Sequence, residues 1–471
     1  MSATYLAADF GGGSGRIIAG RIENNPSGKI LVMDEVHRFP NRVVRMGDFL
    51  YWDFPALFAD LKEGLRAAAM KYDDVRSVGI DTWGVDFGLV DSLGNLVGNP
   101  ICYRDSHTLG KVEEFIAENN VNSHYSRIGI QILPINTLFR LKSMADMDDP
   151  KLKIAKHLLF MPDLFGYFLT GMTGNEYTMA TTSELLDAKT KQWDKQLIES
   201  IGINPGLFGP IVMPGESRGE ITEEVAKETG LPSTVKVVAV GSHDTASAVF
   251  AAAEPFEDSQ CAFLSSGTWS LLGVELDEPV LTEAARNADY TNEGGVGGKI
   301  TFLTNITGLW ILQRLVAQWK ARGEQVSWSE LTAEGEGARD TSIVDVDDPV
   351  FQNPDDMEGN IKTYCRNHGL AAPATRGEYV RCVCNSLAVR YKKALESLDQ
   401  ILAKPVRRLK IFGGGANNSL LNRLTAETCG VEVVTGPTEA TAIGNILVQA
   451  IADGAINDKN EITETIETWK N

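Results

Sequence analysis

A chain of 471 residues exceeds what one hydrophobic core usually supports, so two domains are expected. Its 43% hydrophobic and 23% charged content is that of a globular protein, and a formal net charge of −19 argues against broad nucleic-acid or anionic-membrane surfaces. No apolar run is long enough to cross a bilayer, and the N-terminus enters a strand pattern without a basic lead, which predicts a cytoplasmic protein.

The first apolar strand, Tyr5–Asp9, runs through Phe10-Gly11-Gly12-Gly13-Ser14-Gly15 into a second, Arg16–Ile22. Residues without bulk let a backbone approach a ligand closely, and successive exposed N–H groups form a cup suited to phosphate oxygens. Asp9 ends its strand where a carboxylate can hold Mg²⁺ beside those phosphates; the competing reading is a turn aspartate bonded to its own backbone. Arg16 either reaches phosphate or is a solvated strand charge. A turn at Asn24-Asn25-Pro26-Ser27-Gly28 leads to strand Lys29–Val36. Asp53 caps a helix with Pro55 in its first turn and Leu57, Phe58, Leu61 and Leu65 on one face. Strand Val78–Asp81 and Thr82-Trp83-Gly84-Val85-Asp86-Phe87 follow, where Trp83 and Gly84 either wall a sugar ring or belong to the core. A hairpin is expected to turn at Asp91-Ser92-Leu93-Gly94-Asn95, and residues 111–230 read as helices joined by polar loops.

Strand Val235–Val240 ends in Gly241-Ser242-His243-Asp244-Thr245 and an alanine-rich helix, so the domain boundary is placed at 245/246. Asp244, after a buried strand at this junction, is the candidate catalytic base, with a helix N-cap as the competing reading. His243 reads as a sugar ligand rather than a packed histidine. The second half repeats the strand–loop–strand pattern in Cys261–Leu272, whose Ser266-Gly267-Thr268 offers the Thr268 hydroxyl to a phosphate; an ordinary hairpin turn is the alternative. Two such loops, one in each half, suggest a duplicated core closing on a nucleotide from both sides. Asn305 is expected to begin a helix that carries Gln313, with an N-cap and a solvated glutamine as the default readings. Glu324–Gly377, acidic and containing Asn353-Pro354-Asp355-Asp356, reads as a surface insertion around a few helices. Strand Leu409–Phe412 passes through Gly413-Gly414-Gly415 into a helix with Leu420, Leu421 and Leu424, a turn that would let a flat ring approach the backbone. Helix Ala440–Ala452 is apolar on most faces and is expected between layers. The six cysteines, without a CxxC pair, read as reduced thiols; a Cys365 link to Cys382 or Cys384 stays open.

In this order the chain resembles the FGGY carbohydrate kinases over nearly its whole length. The resemblance rests on Asp9-Phe10-Gly11 with Ser14-Gly15-Arg16, on Thr82-Trp83-Gly84-Val85-Asp86 and on Tyr103-Arg104-Asp105. It continues through Ser242-His243-Asp244-Thr245-Ala246-Ser247-Ala248, Ser266-Gly267-Thr268, Asn292-Glu293-Gly294-Gly295, Gly308-Leu309-Trp310 with Gln313, and Gly413-Gly414-Gly415. It implies an α/β protein of the two-domain actin-like ATPase (ribonuclease-H-like) fold with an interdomain catalytic cleft. The halves would be 1–245, carrying the sugar site and first phosphate loop, and 246–471, carrying the second phosphate loop and adenosine site. The implied activity is phosphorylation of L-rhamnulose on its 1-hydroxyl with ATP and Mg²⁺, by a monomer or small homo-oligomer without nucleic-acid or membrane partners. Carried onto matching positions, Asp244 is the proton acceptor. Gly84, His243, Asp244, Thr245 and Asn305 contact the sugar, and Gly12, Gly13, Ser14, Gly15, Arg16, Thr268, Gln313 and Gly414 contact ATP. Gly12-Gly13 departs from relatives that carry a hydroxyl or small side chain there. The alternatives are a kinase for another deoxyketose such as L-fuculose, and a non-enzymatic actin-like scaffold or sugar sensor.

Overall fold

The computed structural model describes residues 3–352 and 354–470; Asn353 of the acidic segment lies outside them. Strands β1 (Thr4–Phe10), β2 (Ser14–Asn25) and β3 (Gly28–Pro40) form an antiparallel meander. Helix α1 (Phe54–Lys71) starts at Asp53, whose side chain accepts from the Ala56 N–H, and β4 (Val75–Thr82) then lies parallel to β1. Short helices joined by loops, the paired strands Phe87–Asp91 and Ala155–Phe160, and β5 (Ser217–Glu220) make up most of the chain as far as Thr229, and β6 (Lys236–Val238) pairs parallel to β4 and leads to α2 (Asp244–Ala252).

The second half repeats the plan. Strands β7 (Cys261–Ser266), β8 (Trp269–Leu276), β9 (Tyr290–Gly294) and β10 (Ile300–Thr307) are antiparallel neighbours. Helices α3 (Trp310–Ala321) and α4 (Arg376–Leu402) precede β11 (Arg408–Phe412), which is parallel to β7; α5 (Ser419–Cys429), β12 (Glu432–Thr435) and α6 (Ala440–Ala452) follow. The last strand, β13 (Ile462–Glu467), returns to the first half and pairs with β3. The sheets are ordered β5-β6-β4-β1-β2-β3-β13 and β9-β10-β8-β7-β11-β12.

Period-2 alternation explains the layering. Leu6, Ala8 and Phe10 of β1 pack with Leu57, Leu61 and Leu65 of α1, whereas Tyr5 and Ala7 face Ile443, Ile446 and Leu447 of α6. In β7, Ala262 and Leu264 face the large cluster under α3 and α4, whereas Phe263 faces Ala248, Val249 and Ala252 of α2. Helices α2 and α6 therefore fill the space between the sheets. Each follows the last parallel strand of its own half and covers the sheet of the other.

Two expectations are corrected. Asn305 does not begin a helix: it lies in β10, where Ile300, Phe302 and Ile306 enter one core cluster and Leu303 another, and the helix waits for Trp310 beyond Gly308. Two-sided burial, not polarity, decided that segment. The stretch 324–377 is not a surface insertion, because Leu331, Val344, Val346, Phe351, Met357, Ile361 and Cys365 belong to the main core cluster. Its acids serve as helix caps instead, Asp348 and Asp356 among them. The hairpin turning at 91–95 forms, with the Asp91 N–H donating to the Asn95 carbonyl at 2.9 Å and the Val97 N–H to the Leu89 carbonyl at 2.8 Å, and its first strand, Phe87–Asp91, also pairs with Ala155–Phe160. All six cysteines are free thiols, and among the described residues no helix is long and apolar enough to cross a membrane.

Candidate active site

The C-terminal ends of β1, β4 and the β6–α2 connection converge, as ligand sites in parallel sheets do. Asp9 and Asp81 are register partners on β1 and β4, and Thr82 takes the Ser242 carbonyl at 2.9 Å, tying β4 to the loop before Asp244. Asp244 occupies the first turn of α2, after His243 as N-cap; its side chain caps nothing, so the N-cap reading of Asp244 does not hold. Its Oδ1 accepts from the Thr245 hydroxyl at 3.2 Å. Burial raises its pKa, the His243 imidazolium pulls it back, and the Asp9 charge adds to the rise. Asp81 is fully buried and driven further up by burial and then by Asp9. Its Oδ2 accepts from Asn445 of α6 at 2.5 Å, while its Oδ1 has no partner.

His243 lies between two acids, with Nε2 at 3.6 Å from Asp244 Oδ1 and Nδ1 at 3.1 Å from Glu293 Oε2 on β9. Its N–H donates to Thr178 Oγ1 at 3.0 Å, and that hydroxyl donates to the buried Glu176 at 2.6 Å. Burial opposes the charged imidazolium, but Glu293 and then Asp244 and Glu176 outweigh it and raise His243 to about 9. The folded value lies above the unfolded one of about 6.5, so the stabilisation is complete below that pH and is lost as pH rises towards 9. Thermal scans should show Tm falling across this window in the native protein and a shallower fall in Glu293→Gln. An equally steep fall in the variant would remove Glu293 as the partner.

Gly84 abuts the same histidine: a Cβ there would stand 3.3 Å from Thr182 and 3.4 Å from His243 Nε2. The next residue, Val85, has φ of 66°, an outlier for a β-branched side chain. The strain, roughly 1–3 kcal/mol, is held by the Thr182 hydroxyl on its N–H at 3.1 Å and the Thr137 hydroxyl on its carbonyl at 2.7 Å. Trp83 takes the core reading: it is buried, 4.1 Å from the Trp52 ring, and its indole N–H donates to Asp86 at 2.8 Å. Asn305 reaches the site from β10, its Nδ2 donating to Gln131 of the first half at 3.1 Å. Helices of the first half hold β9 and β10 there. Tyr125 donates to the Tyr290 carbonyl at 2.7 Å, and Gly294 donates to Thr181 at 2.8 Å.

The glycine loops divide into positions that packing requires and positions that stay open. In the first, Gly15 is buried in β2 where a Cβ would overlap the Phe39 ring, whereas Gly13 has nothing within 4 Å. Gly12 faces Tyr103 and Arg104. Ser14 and Arg16 also lie in β2, and Arg16 is gripped by Asp9 and Glu439, each at 2.5 Å. In the second loop the Thr268 hydroxyl donates to Gln313 of α3 at 3.2 Å. Gly308 has no room for a Cβ, which would lie 2.7 Å from the Ser270 nitrogen. Beyond β11, Gly413 has φ of 79° and Gly415 sits under Ser266, but Gly414 is open. One glycine of three is thus free to face a ligand.

The donors suit a hard divalent cation such as Mg²⁺. Three carboxylates, Asp9, Asp81 and Asp244, sense one another's charge, the buried Oδ1 of Asp81 is unpartnered, and Arg16 donates to an oxygen of Asp9. Among the described residues no group of three metal-ligating side chains is close enough to hold an ion unaided, which matches a cation held by one or two carboxylates together with water and substrate phosphates.

Sequence reasoning assigned no role to Asp81, Gln131, Glu293 or Arg104. Glu293 and Arg104 lay inside the motifs of the resemblance; Gln131 carried no local signal.

The model of the FGGY family of carbohydrate kinases, N-terminal domain, matches residues 4–251, and that of the C-terminal domain matches residues 262–452. The chain is similar to the rhamnulokinase of Bacteroides thetaiotaomicron, with 43% identity over 460 residues covering 97% of this chain and 92% of the relative. It is similar to that of Halalkalibacterium halodurans with 38% identity over 461 residues, covering 98% and 96%. Among solved structures, the ligand-bound xylulose kinase from Lactobacillus acidophilus superposes with a TM-score of 0.78 at 16% identity, covering 98% of this chain and 91% of that one. The Plasmodium falciparum glycerol kinase with ADP gives 0.77 at 16% identity, covering 98% and 91%. At that identity the two structures establish the fold alone.

Proposed function

From the premise that the chain belongs to the FGGY family of carbohydrate kinases, we propose that it transfers the γ-phosphoryl group of ATP to the 1-hydroxyl of L-rhamnulose. The substrate class follows from the rhamnulokinases it resembles across nearly all its length. The observation that carries the chemistry is Asp244, a carboxylate at the start of α2, beside His243 and within electrostatic reach of Asp9.

In this reading the sugar lies against Gly84, His243, Thr245 and Asn305, with its 1-hydroxyl on Asp244. The transition state of phosphoryl transfer is loose, so the carboxylate chiefly orients the hydroxyl and takes its proton late. A cationic His243, fixed by Glu293, donates to sugar oxygens and pulls the pKa of Asp244 down against its burial. The backbone of Gly12, Gly13, Ser14 and Gly15 and the Thr268 hydroxyl hold phosphates, Arg16 fixes Asp9 beneath them, Gln313 orients Thr268, and the open Gly414 receives the adenosine. Asp9, with Asp81 behind it, holds Mg²⁺, which when bound neutralises phosphate charge. The halves 1–245 and 246–471 close on the substrates and exclude water as a competing acceptor. The protein acts in the cytoplasm, as a monomer or small homo-oligomer.

Thr268→Ala should raise the KM for ATP by about ten- to a hundredfold, the worth of one hydrogen bond to a charged group, and leave the sugar KM unchanged. Steady-state kinetics with each substrate varied in turn check this. The reading itself is tested by product analysis with Mg²⁺, ATP and a ketose panel. L-rhamnulose 1-phosphate is expected in step with ADP. Preferential turnover of L-fuculose would move the specificity, and no sugar phosphate from any ketose would overturn the kinase.

A further inference from the structure

Transfer of a phosphoryl group concentrates negative charge on its equatorial oxygens, and guanidinium groups stabilise it well because they donate two aligned hydrogen bonds. Arg16 is nearest to the first glycine loop in sequence, but both ends of its guanidinium are taken by Asp9 and Glu439 at 2.5 Å. Moving it would break ion pairs to two largely buried carboxylates, at 7% and 14% side-chain exposure.

A second guanidinium reaches the same loop from elsewhere in the chain. Arg104 stands over the Tyr103 ring at 5.1 Å, and a Cβ on Gly12 would lie 3.3 Å from its Nη2 and 3.4 Å from the Tyr103 hydroxyl. Its guanidinium lies 3.5 Å from the Gly12 carbonyl, at the edge of what a hydrogen bond tolerates, beside the Tyr103 hydroxyl, and it forms no ion pair among the described residues. The flanking backbone is nevertheless pinned. The Tyr103 N–H donates to buried Asp86 at 3.2 Å, the same carboxylate that takes the indole N–H of Trp83 beside Gly84. Asp105 is buried and accepts from the Leu50 and His107 N–H groups at 2.6 and 2.9 Å. An exposed cation with no carboxylate partner among the described residues is thus presented by a fixed loop between the glycine loop and the wall that carries Gly84.

We propose that Arg104 is a catalytic residue that contacts the γ-phosphoryl group of ATP during transfer, placed there by the close approach of its guanidinium to Gly12. The proposal rests on the phosphoryl-transfer reading but not on which ketose is the acceptor. It also accounts for the bare Gly12-Gly13 pair: the contact that a loop hydroxyl would make is supplied from Arg104.

The test measures nucleotide affinity by calorimetry with Mg²⁺ and no sugar, using ADP and a non-hydrolysable ATP analogue, on the full chain and on Arg104→Gln and Arg104→Lys. Arg104→Gln should weaken the analogue about tenfold while ADP changes less than about twofold, and lower kcat by about 100-fold. Arg104→Lys, a point charge without the fork, should recover part of both. Native protein that binds neither nucleotide would overturn the kinase reading and this proposal together. Native protein that binds both, with an Arg104→Gln variant whose ADP-to-analogue preference and kcat match it, would overturn Arg104 alone.

Discussion

Asp244→Asn is expected to lower kcat by about 10²–10⁴-fold, the range lost with a general base, while the ketose binds almost as well. The substitution is nearly isosteric, and the new amide oxygen still accepts from the Thr245 hydroxyl, so α2 keeps its start. What disappears is the acceptor for the sugar proton and one negative charge. That charge repels Asp9 and contributes to the raised pKa of Asp81, but it also attracts the His243 imidazolium, so its removal has opposing electrostatic effects on the fold. Turnover should therefore collapse while Tm changes little, a combination that a folding defect does not produce. A coupled ADP assay, sugar calorimetry and a thermal scan on one preparation check it. Near-native turnover would place the base elsewhere.

The second large effect is expected at a residue that touches no ligand. Gly444 lies in α6 where that helix crosses α2, and a Cβ there would overlap the Ser247 carbonyl, 2.6 Å from its carbon. The neighbour is rigid helix backbone, so Gly444→Ala has to separate the helices. Overpacking of this kind costs about 1–3 kcal/mol, occasionally more. The separation is transmitted directly, because the Ser247 hydroxyl donates to the Gly241 carbonyl at 2.7 Å and so ties α2 to the loop that carries His243 and Asp244. On the other side, Asn445 holds Asp81. A displacement approaching 1 Å at a reacting group can cost about 100-fold. Gly444→Ala should thus lower Tm by several degrees and kcat by at least about tenfold. Calorimetry and kinetics below the variant's Tm separate the two. A variant with native Tm and native kcat would show that α2 and α6 have slack that the packed backbones do not display.

Local pattern carried much of this molecule. The strand–glycine–strand unit appears where the sequence places it in both halves, the Asp53 cap forms, and Ala440–Ala452 is a helix with the predicted ends, buried between layers. These features depend on neighbours in sequence, on alternation, on caps and on the absence of side chains, so a single sequence suffices to read them. Asn305 misled because Asn before an apolar run resembles a helix start, whereas strands on both sides of β10 made extension the better use of its backbone. The acidic stretch 324–377 misled for a related reason: its charges are local and visible, while the cluster that buries Leu331 and Ile361 is assembled from distant elements.

Two matching loops, the carboxylates Asp9 near the end of one buried strand and Asp244 beyond another, and a kinase-like order of motifs are legible in residue order. Which charges are committed is set by packing in three dimensions. Arg16 and Arg104 look alike as residue types, yet one is neutralised by Asp9 and by Glu439 from the far end of the chain and the other stands free of ion pairs among the described residues. The pairing of Glu293 with His243 across the two halves is likewise invisible until β9 is docked. Electrostatic partnership falls off over a few ångströms in space and is indifferent to separation along the chain, so no local pattern encodes it.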